Sequence, residues 1–226
     1  MSSPLPKVAL FDMDGTLFDT ERLWAEALVL VFETLGLRQR TETIMALIYG
    51  MAWPDAFATL KRTFPDALAD FTASRLGHQL CLKFSELFAL NPPVIESAAR
   101  LLQRLHAAGI RCAYVSGSPR RTIEENLHRS HLFDFFAHDC SVPSDDVHRG
   151  KPHPDGYLLA LQRLGVNATD AVVFEDSRVG SQAALAAGIP HVYVCPPPNV
   201  PPQDYPAEAL RMASWDDVLK EVPPCP

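Results

Sequence analysis

The sequence predicts a doubly wound parallel α/β fold carrying an inserted, all-helical unit. Two observations predict the sheet. Short apolar runs at about 8–12, 111–116, 136–140, 171–175 and 191–195 are too brief for helices, and they alternate with helical stretches. Strands separated by helices in this way lie parallel. A third observation predicts the insert: Phe18 to Asn91 contains no convincing strand but several helical runs, including Arg22 to Leu35 and Asp66 to Leu90. The expected division is an α/β core of residues 1–17 and 92–226 and a helical cap of residues 18–91.

Taken in order, Val8 to Phe11 forms a buried first strand that ends in Asp12-Met13-Asp14-Gly15-Thr16. In the helical stretch, Gly36, Gly50 with Pro54, and Pro65 mark breaks, and Asn91-Pro92-Pro93 returns the chain to the core. Ile95 to Ala108 reads as a helix through Leu101, Leu102 and Leu105, and Pro154 to Leu164 through Leu158, Leu161 and Leu164. Gly109 and Gly165 stop them. The strand Arg111 to Val115 leads through Ser116 to Pro119 at the start of another helix, and Ala171 to Phe174 runs into Glu175 and Asp176. The Pro-rich run Cys195 to Pro202 is stiff and extended, and is expected to cross the surface after the last strand.

Chemistry concentrates at the ends of these runs. Residues i and i+2 of a strand share a face, so Asp12 and Asp14 bring two acids to one place, and Gly15 lets the backbone turn sharply beside a ligand. Taken alone, Asp-x-Asp-Gly also reads as a strand ending in an Asx-type turn. Ser116, with the amides of Gly117 and Ser118 at a helix start, suits a phosphate; a strand-end hydroxyl bonded to its own backbone is the alternative. Gly150-Lys151-Pro152 delivers one ammonium just before a helix, where an ordinary lysine would be solvated. In open α/β sheets ligands bind beyond the carboxyl ends of the strands, where Asp12, Ser116, Glu175 and Asp176 all fall.

These four segments, in this order, resemble the motifs of the haloacid dehalogenase superfamily, in its capped branch similar to β-phosphoglucomutase and phosphoglycolate phosphatase. The resemblance covers nearly the whole chain and implies a Rossmann-like core under a helical cap. It implies a Mg²⁺-dependent phosphatase acting on a small phosphorylated metabolite, preferably a sugar or polyol phosphate, through an aspartyl-phosphate. Asp12 then stands for the nucleophile, Asp14 for the general acid/base, and Ser116 and Lys151 for the phosphate clamps. Asp12, Asp176, the Asp14 carbonyl and Glu175, directly or through water, stand for the Mg²⁺ site. Gly117, Arg120, Trp24 and Gly50 are further substrate-contact candidates; Arg120 and Arg121 also suit pairing with Glu124 or Glu125, and Trp24 and Gly50 suit helix packing. Two alternatives stay open: a phosphosugar mutase and a non-enzymatic phospho-ligand binder. Trp24 stands where the mutase relatives carry a His, which favours hydrolysis over isomerisation, and the intact acids and Lys151 disfavour the binder.

Composition narrows the class further. A net charge of −7 over 226 residues, without a Lys/Arg run, argues against a nucleic-acid or membrane-surface partner. No segment approaches the roughly 20 apolar residues of a membrane span, and the N-terminus lacks signal-peptide form, so a cytoplasmic, monomeric protein is expected. Cys81, Cys112, Cys140, Cys195 and Cys225 are scattered and odd in number, which predicts free thiols rather than disulfides or a zinc site. Of eight histidines, only His148 and His153 lie near the proposed chemistry, and both read as loop residues.

Overall fold

A computed structural model describes residues 6–49, 51, 53–197 and 204–220. In chain order its elements are β1 (Val8–Phe11), α1 (Thr20–Thr34), α2 (Thr41–Ile48), α3 (Trp53–Thr63), α4 (Ala73–Leu90), α5 (Glu96–Ala107), β2 (Arg111–Tyr114) and α6 (Arg120–Arg129). Then follow α7 (Asp155–Leu164), β3 (Ala171–Glu175), α8 (Arg178–Ala186), β4 (His191–Val194), β5 (Leu210–Arg211) and α9 (Trp215–Leu219). The described residues fall into two compact units, one formed by 6–19, 94–197 and 204–220, the other by those within 20–93.

The α/β unit is built on a parallel sheet in the order β2-β1-β3-β4-β5. Every residue of β1 and β3 is buried, as parallel strands covered on both faces require. One face packs Val8, Leu10, Ala113, Val115 and Val173 against Tyr157, Ala160 and Leu164 of α7 and Ala183 and Ala184 of α8. Phe11 and Phe174, 4.7 Å apart, join an aromatic group in which Trp215 of α9 meets Phe174 edge-on at 5.6 Å and Phe136 meets Phe11 at 6.0 Å. Because β1 pairs with β2 on one side and β3 on the other, the chain reverses its direction of travel across the sheet at β1. A ligand crevice forms at such a switch point.

Two strand expectations need correction. No strand forms at 136–140; 3₁₀ turns occupy Phe133–Phe135 and His138–Cys140. The segment still lies along β2, pairing through Ala137 N–H to Cys112 O (2.8 Å) and Val142 N–H to Tyr114 O (2.8 Å). Between these points the Tyr114 N–H donates to the Ser141 hydroxyl at 3.1 Å, so a side chain replaces the carbonyl that a continuous strand would supply. Conversely, β5 was not expected. Two residues carry no readable period.

The helical unit packs α1 to α4 around Leu28, Phe32, Ile44, Leu60, Leu68, Leu76 and Leu80. The run expected from Asp66 to Leu90 becomes helical only at Ala73, because Thr72 caps α4 by accepting from Arg75 N–H (3.2 Å) and Lys61 holds the Ala69 and Phe71 carbonyls before it. Gly50 and residues 198–202 of the Pro-rich run lie outside the described residues. No helix among the described residues is long and apolar enough to cross a membrane.

Ser141 is fully buried, and its hydroxyl donates to Ala137 O at 3.0 Å while accepting from Tyr114 N–H. Ser141→Ala leaves a buried amide without an acceptor and is expected to cost about 1–3 kcal/mol in urea unfolding of the α/β unit. A cost below about 0.5 kcal/mol would show that the hydroxyl does not substitute for the missing strand.

Candidate active site

Asp12 leaves β1 while its N–H still bonds Phe174 O at 2.9 Å, so the carboxylate stands beside the end of β3. Its Oδ1 accepts from Lys151 Nζ at 2.5 Å, and the same ammonium donates to Glu175 Oε1 at 2.6 Å. Lys151 comes from the loop before α7 and also sits 5.4 Å over the Tyr157 ring. Glu175 is fully buried, and five donors converge on it: Lys151, Tyr157 OH (2.9 Å), the N–H groups of Asp176 and Ser177 (3.2 Å each) and the Ser177 hydroxyl (2.9 Å). A carboxylate has about four lone-pair sites, so Glu175 is saturated.

Asp12 Oδ2, by contrast, is buried without a partner. Asp12, Glu175 and Asp176 each offer an oxygen within 4.8 Å of the others. Two glycines make room for this group. Gly15 has φ +91°, and a Cβ there would collide with the Asp176 carboxylate; a Cβ on Gly180 would collide with that of Glu175. An all-carboxylate donor set with one orphaned oxygen fits a hard divalent cation. Burial pushes the Asp12 carboxyl up to about 7 against the pull of Lys151, and burial followed by the Asp12 and Glu175 charges raises Asp176. Burial works to lower the Lys151 pKa, but the Asp12 and Glu175 charges outweigh it and leave it well above its ordinary value.

Asp14 turns away from this group. Its Oδ2 accepts from the Ser118 hydroxyl at 2.7 Å and from the Ser116 hydroxyl at 3.5 Å. Ser116 is positioned by its N–H to Val142 O (3.0 Å), and its Oγ accepts from Ser118 N–H (3.0 Å). A cavity of about 360 Å³ is lined by Asp12, Asp14, Ser116, Gly117, Lys151 and Tyr157, with Arg149 and His153 among its other walls.

The structure thus brings Asp12, Asp14, Ser116, Gly117 and Lys151 to one cavity and gathers Asp12, Glu175 and Asp176 as an acidic trio. The Asp14 carboxylate is not part of that trio. Arg120 lies elsewhere: its guanidinium pairs with Glu124 (3.3 Å) and Asp146 (2.9 Å), and its N–H is taken by Asp145 (2.8 Å). Asp145 thus takes an amide at the α6 start, and of the two amides read as open to a phosphate, that of Ser118 is taken by Ser116 Oγ. Trp24 belongs to the helical unit, stacked on Phe84 at 3.9 Å beside an apolar pocket of about 340 Å³ that Tyr49 and Trp53 also line. Reasoning from the sequence missed Tyr157 and, having named Ser118 for its amide, missed the Ser118 hydroxyl on Asp14. Tyr157 looks like any aromatic in the first turns of an amphipathic helix, and Ser118 like a turn residue.

A family model for haloacid dehalogenase-like hydrolases matches residues 6–188. The chain belongs to this family. It is 37% identical over 189 residues to the phosphorylated carbohydrates phosphatase of Thermotoga maritima, covering 83% of this chain and 84% of that protein. To the fructose-1-phosphate phosphatase YqaB of Escherichia coli it is 33% identical over 189 residues, covering 82% and 94%. The crystal structure of a HAD family hydrolase from Deinococcus radiodurans with bound phosphate and sodium superposes with a TM-score of 0.77 at 30% identity, covering 96% and 94%. Among the described residues of the hydrolase, Cys81, Cys112, Cys140 and Cys195 are free.

Two outcomes follow for the hydrolase. Gly15→Ala pushes a methyl into Asp176 and is expected to weaken divalent-cation binding about 10- to 100-fold by calorimetry, whereas unchanged affinity would remove Asp176 from the cation site. Because a carboxyl raised to about 7 is protonated below that pH and must ionise to bind a cation, affinity should rise as pH rises through about 7. Calorimetry at about pH 6 in two buffers of different ionisation heat should show proton release on binding; equal heats in both would contradict it.

Proposed function

We propose that this hydrolase is a Mg²⁺-dependent phosphatase of phosphorylated carbohydrates working through an aspartyl-phosphate on Asp12. The observation that carries the reading is the Asp12 carboxylate itself. One oxygen is pinned by Lys151 while the other is buried and unpartnered, at a cavity shared with Asp14 and Ser116. The names of the two phosphatase relatives supply the carbohydrate part.

Asp12 and Asp176, with the Asp14 carbonyl that the family resemblance adds, are assigned to hold Mg²⁺. When bound, Mg²⁺ neutralises charge between the phosphoryl group and the acids. Glu175, its oxygens already taken by five donors, is assigned to anchor Lys151 rather than to bind the cation directly. Lys151 and the Ser116 hydroxyl hold phosphoryl oxygens, and the ammonium offsets repulsion between the phosphoryl group and Asp12. Asp12 attacks phosphorus, the bond to the carbohydrate oxygen breaks, and Asp14 delivers the proton that the leaving oxygen needs. In the second half, Asp14 takes a proton from water as it attacks phosphorus, and Asp12 is released with inorganic phosphate. By the family resemblance Trp24 stands where mutase relatives carry a His, and an indole neither titrates near neutral pH nor accepts a hydrogen bond, which favours hydrolysis over return of the phosphoryl group to sugar.

Purified protein screened against a panel of sugar, polyol and other phosphomonoesters should release phosphate only with Mg²⁺, and chelator should silence it reversibly. Asp12→Asn is expected to abolish turnover with the fold intact, and Asp14→Asn to cost roughly 10²- to 10⁴-fold. Near-wild-type turnover in Asp12→Asn would discard the nucleophile. With β-glucose 1-phosphate and catalytic glucose 1,6-bisphosphate, isomerisation outrunning phosphate release would turn the reading to a mutase.

A further inference from the structure

The Asp14 carboxyl is the group on which both halves of the proposed reaction turn, and its orientation is set by hydroxyls from one short segment. The Ser118 hydroxyl donates to Asp14 Oδ2 at 2.7 Å, at the upper end of the range of a charge-assisted O–H···O⁻ bond, while Ser116 reaches the same oxygen only at 3.5 Å. The two serines have different duties. Ser116 has a single hydroxyl hydrogen, and once that hydrogen is turned to a phosphoryl oxygen it is lost to Asp14. Ser118 is the donor left in place. Among the described residues its hydroxyl donates to Asp14. The structural bonds of this residue run through its backbone, from Ser118 N–H to Ser116 Oγ at 3.0 Å and from Ser144 N–H to Ser118 O at 3.1 Å.

A hydroxyl also suits the task chemically. It donates to a carboxylate and accepts from a carboxylic acid, so it can hold the same side chain before and after the proton moves. An ammonium could serve only one of those forms. We propose that Ser118 is a positioning residue that keeps the Asp14 carboxyl aimed for proton transfer while Ser116 is occupied by the phosphoryl group. The proposal rests on the reading of Asp14 as general acid and base.

Leaving-group dependence separates positioning of the acid from a merely structural role. Phenolate is a poorer leaving group than p-nitrophenolate and needs the proton more, and kcat/KM reports the step in which the leaving group departs. In Ser118→Ala, kcat/KM for phenyl phosphate is expected to fall about 10-fold, with p-nitrophenyl phosphate changed less than about twofold, and Ser118→Thr should restore most of the loss. Asp14→Asn should show the same selectivity, larger in size. Selective loss in Asp14→Asn beside equal loss with both substrates, or no loss, in Ser118→Ala would overturn the assignment of Ser118 alone. Absence of selectivity in Asp14→Asn would overturn the reading of Asp14, and the proposal with it.

Discussion

One partly buried ammonium among three buried carboxylates organises this molecule. Lys151 lies between Asp12 and Glu175, with Asp176 beside them, and all three acids are almost wholly removed from water. Charges so placed are costly unless paired and hydrogen-bonded. The protein meets that cost unevenly. Glu175 is satisfied by five donors, whereas Asp12 keeps a buried oxygen with none. An excess of negative charge around an unsatisfied oxygen is a site poised for a cation and for the electrophile that the cation accompanies.

The sheet makes this clustering possible. β1 lies between β2 and β3 in matched register, Phe11 opposite Tyr114 on one side and Phe174 on the other. The next residues along the three strands, Asp12, Val115 and Glu175, therefore emerge together, with Ser116 one position beyond Val115, so groups far apart in sequence reach one edge. The covering helices add to the site as they close the core: α7 contributes Tyr157, and Ser177 caps α8 while donating to Glu175. Stability and chemistry share these side chains, as the close approach of Gly15 and Gly180 to the acids also shows.

The acidic trio and the Asp14 carboxyl take different partners. The first is bound by one ammonium, two backbone amides and the Tyr157 and Ser177 hydroxyls; the second accepts from the Ser118 and Ser116 hydroxyls, which serve either protonation state. This division suits two carboxyls that are two residues apart in sequence and are assigned different work. Under the proposed function, a charge-paired Asp12 suits attack and cation binding, while a hydroxyl-held Asp14 suits giving and recovering a proton.

The alternation of strands with helices, the helical insert and the positions of Asp12, Asp14, Ser116, Lys151, Glu175 and Asp176 were legible in the sequence, because strand ends, turn glycines and helix starts are local patterns. The two-residue β5 and the 3₁₀ turns in place of a strand at 136–140 were not. That edge depends on a Ser141 hydroxyl meeting the Tyr114 amide, a bond between distant parts of the chain. Arg120 was read either as a substrate contact or as a partner for Glu124 or Glu125; the structure pairs it with Glu124 and also with Asp146, which spacing along the helix could not indicate. By itself the sequence determined the fold class and which acids and bases stand at strand ends, since both follow from periodicity and spacing. Only the tertiary structure decided which partner each polar group takes: Glu175 saturated, Asp12 half free, Asp14 on a serine 104 residues away. The reason is that hydrogen-bond partners are chosen by proximity in space after the sheet has set its register, and spacing along the chain carries no record of that choice.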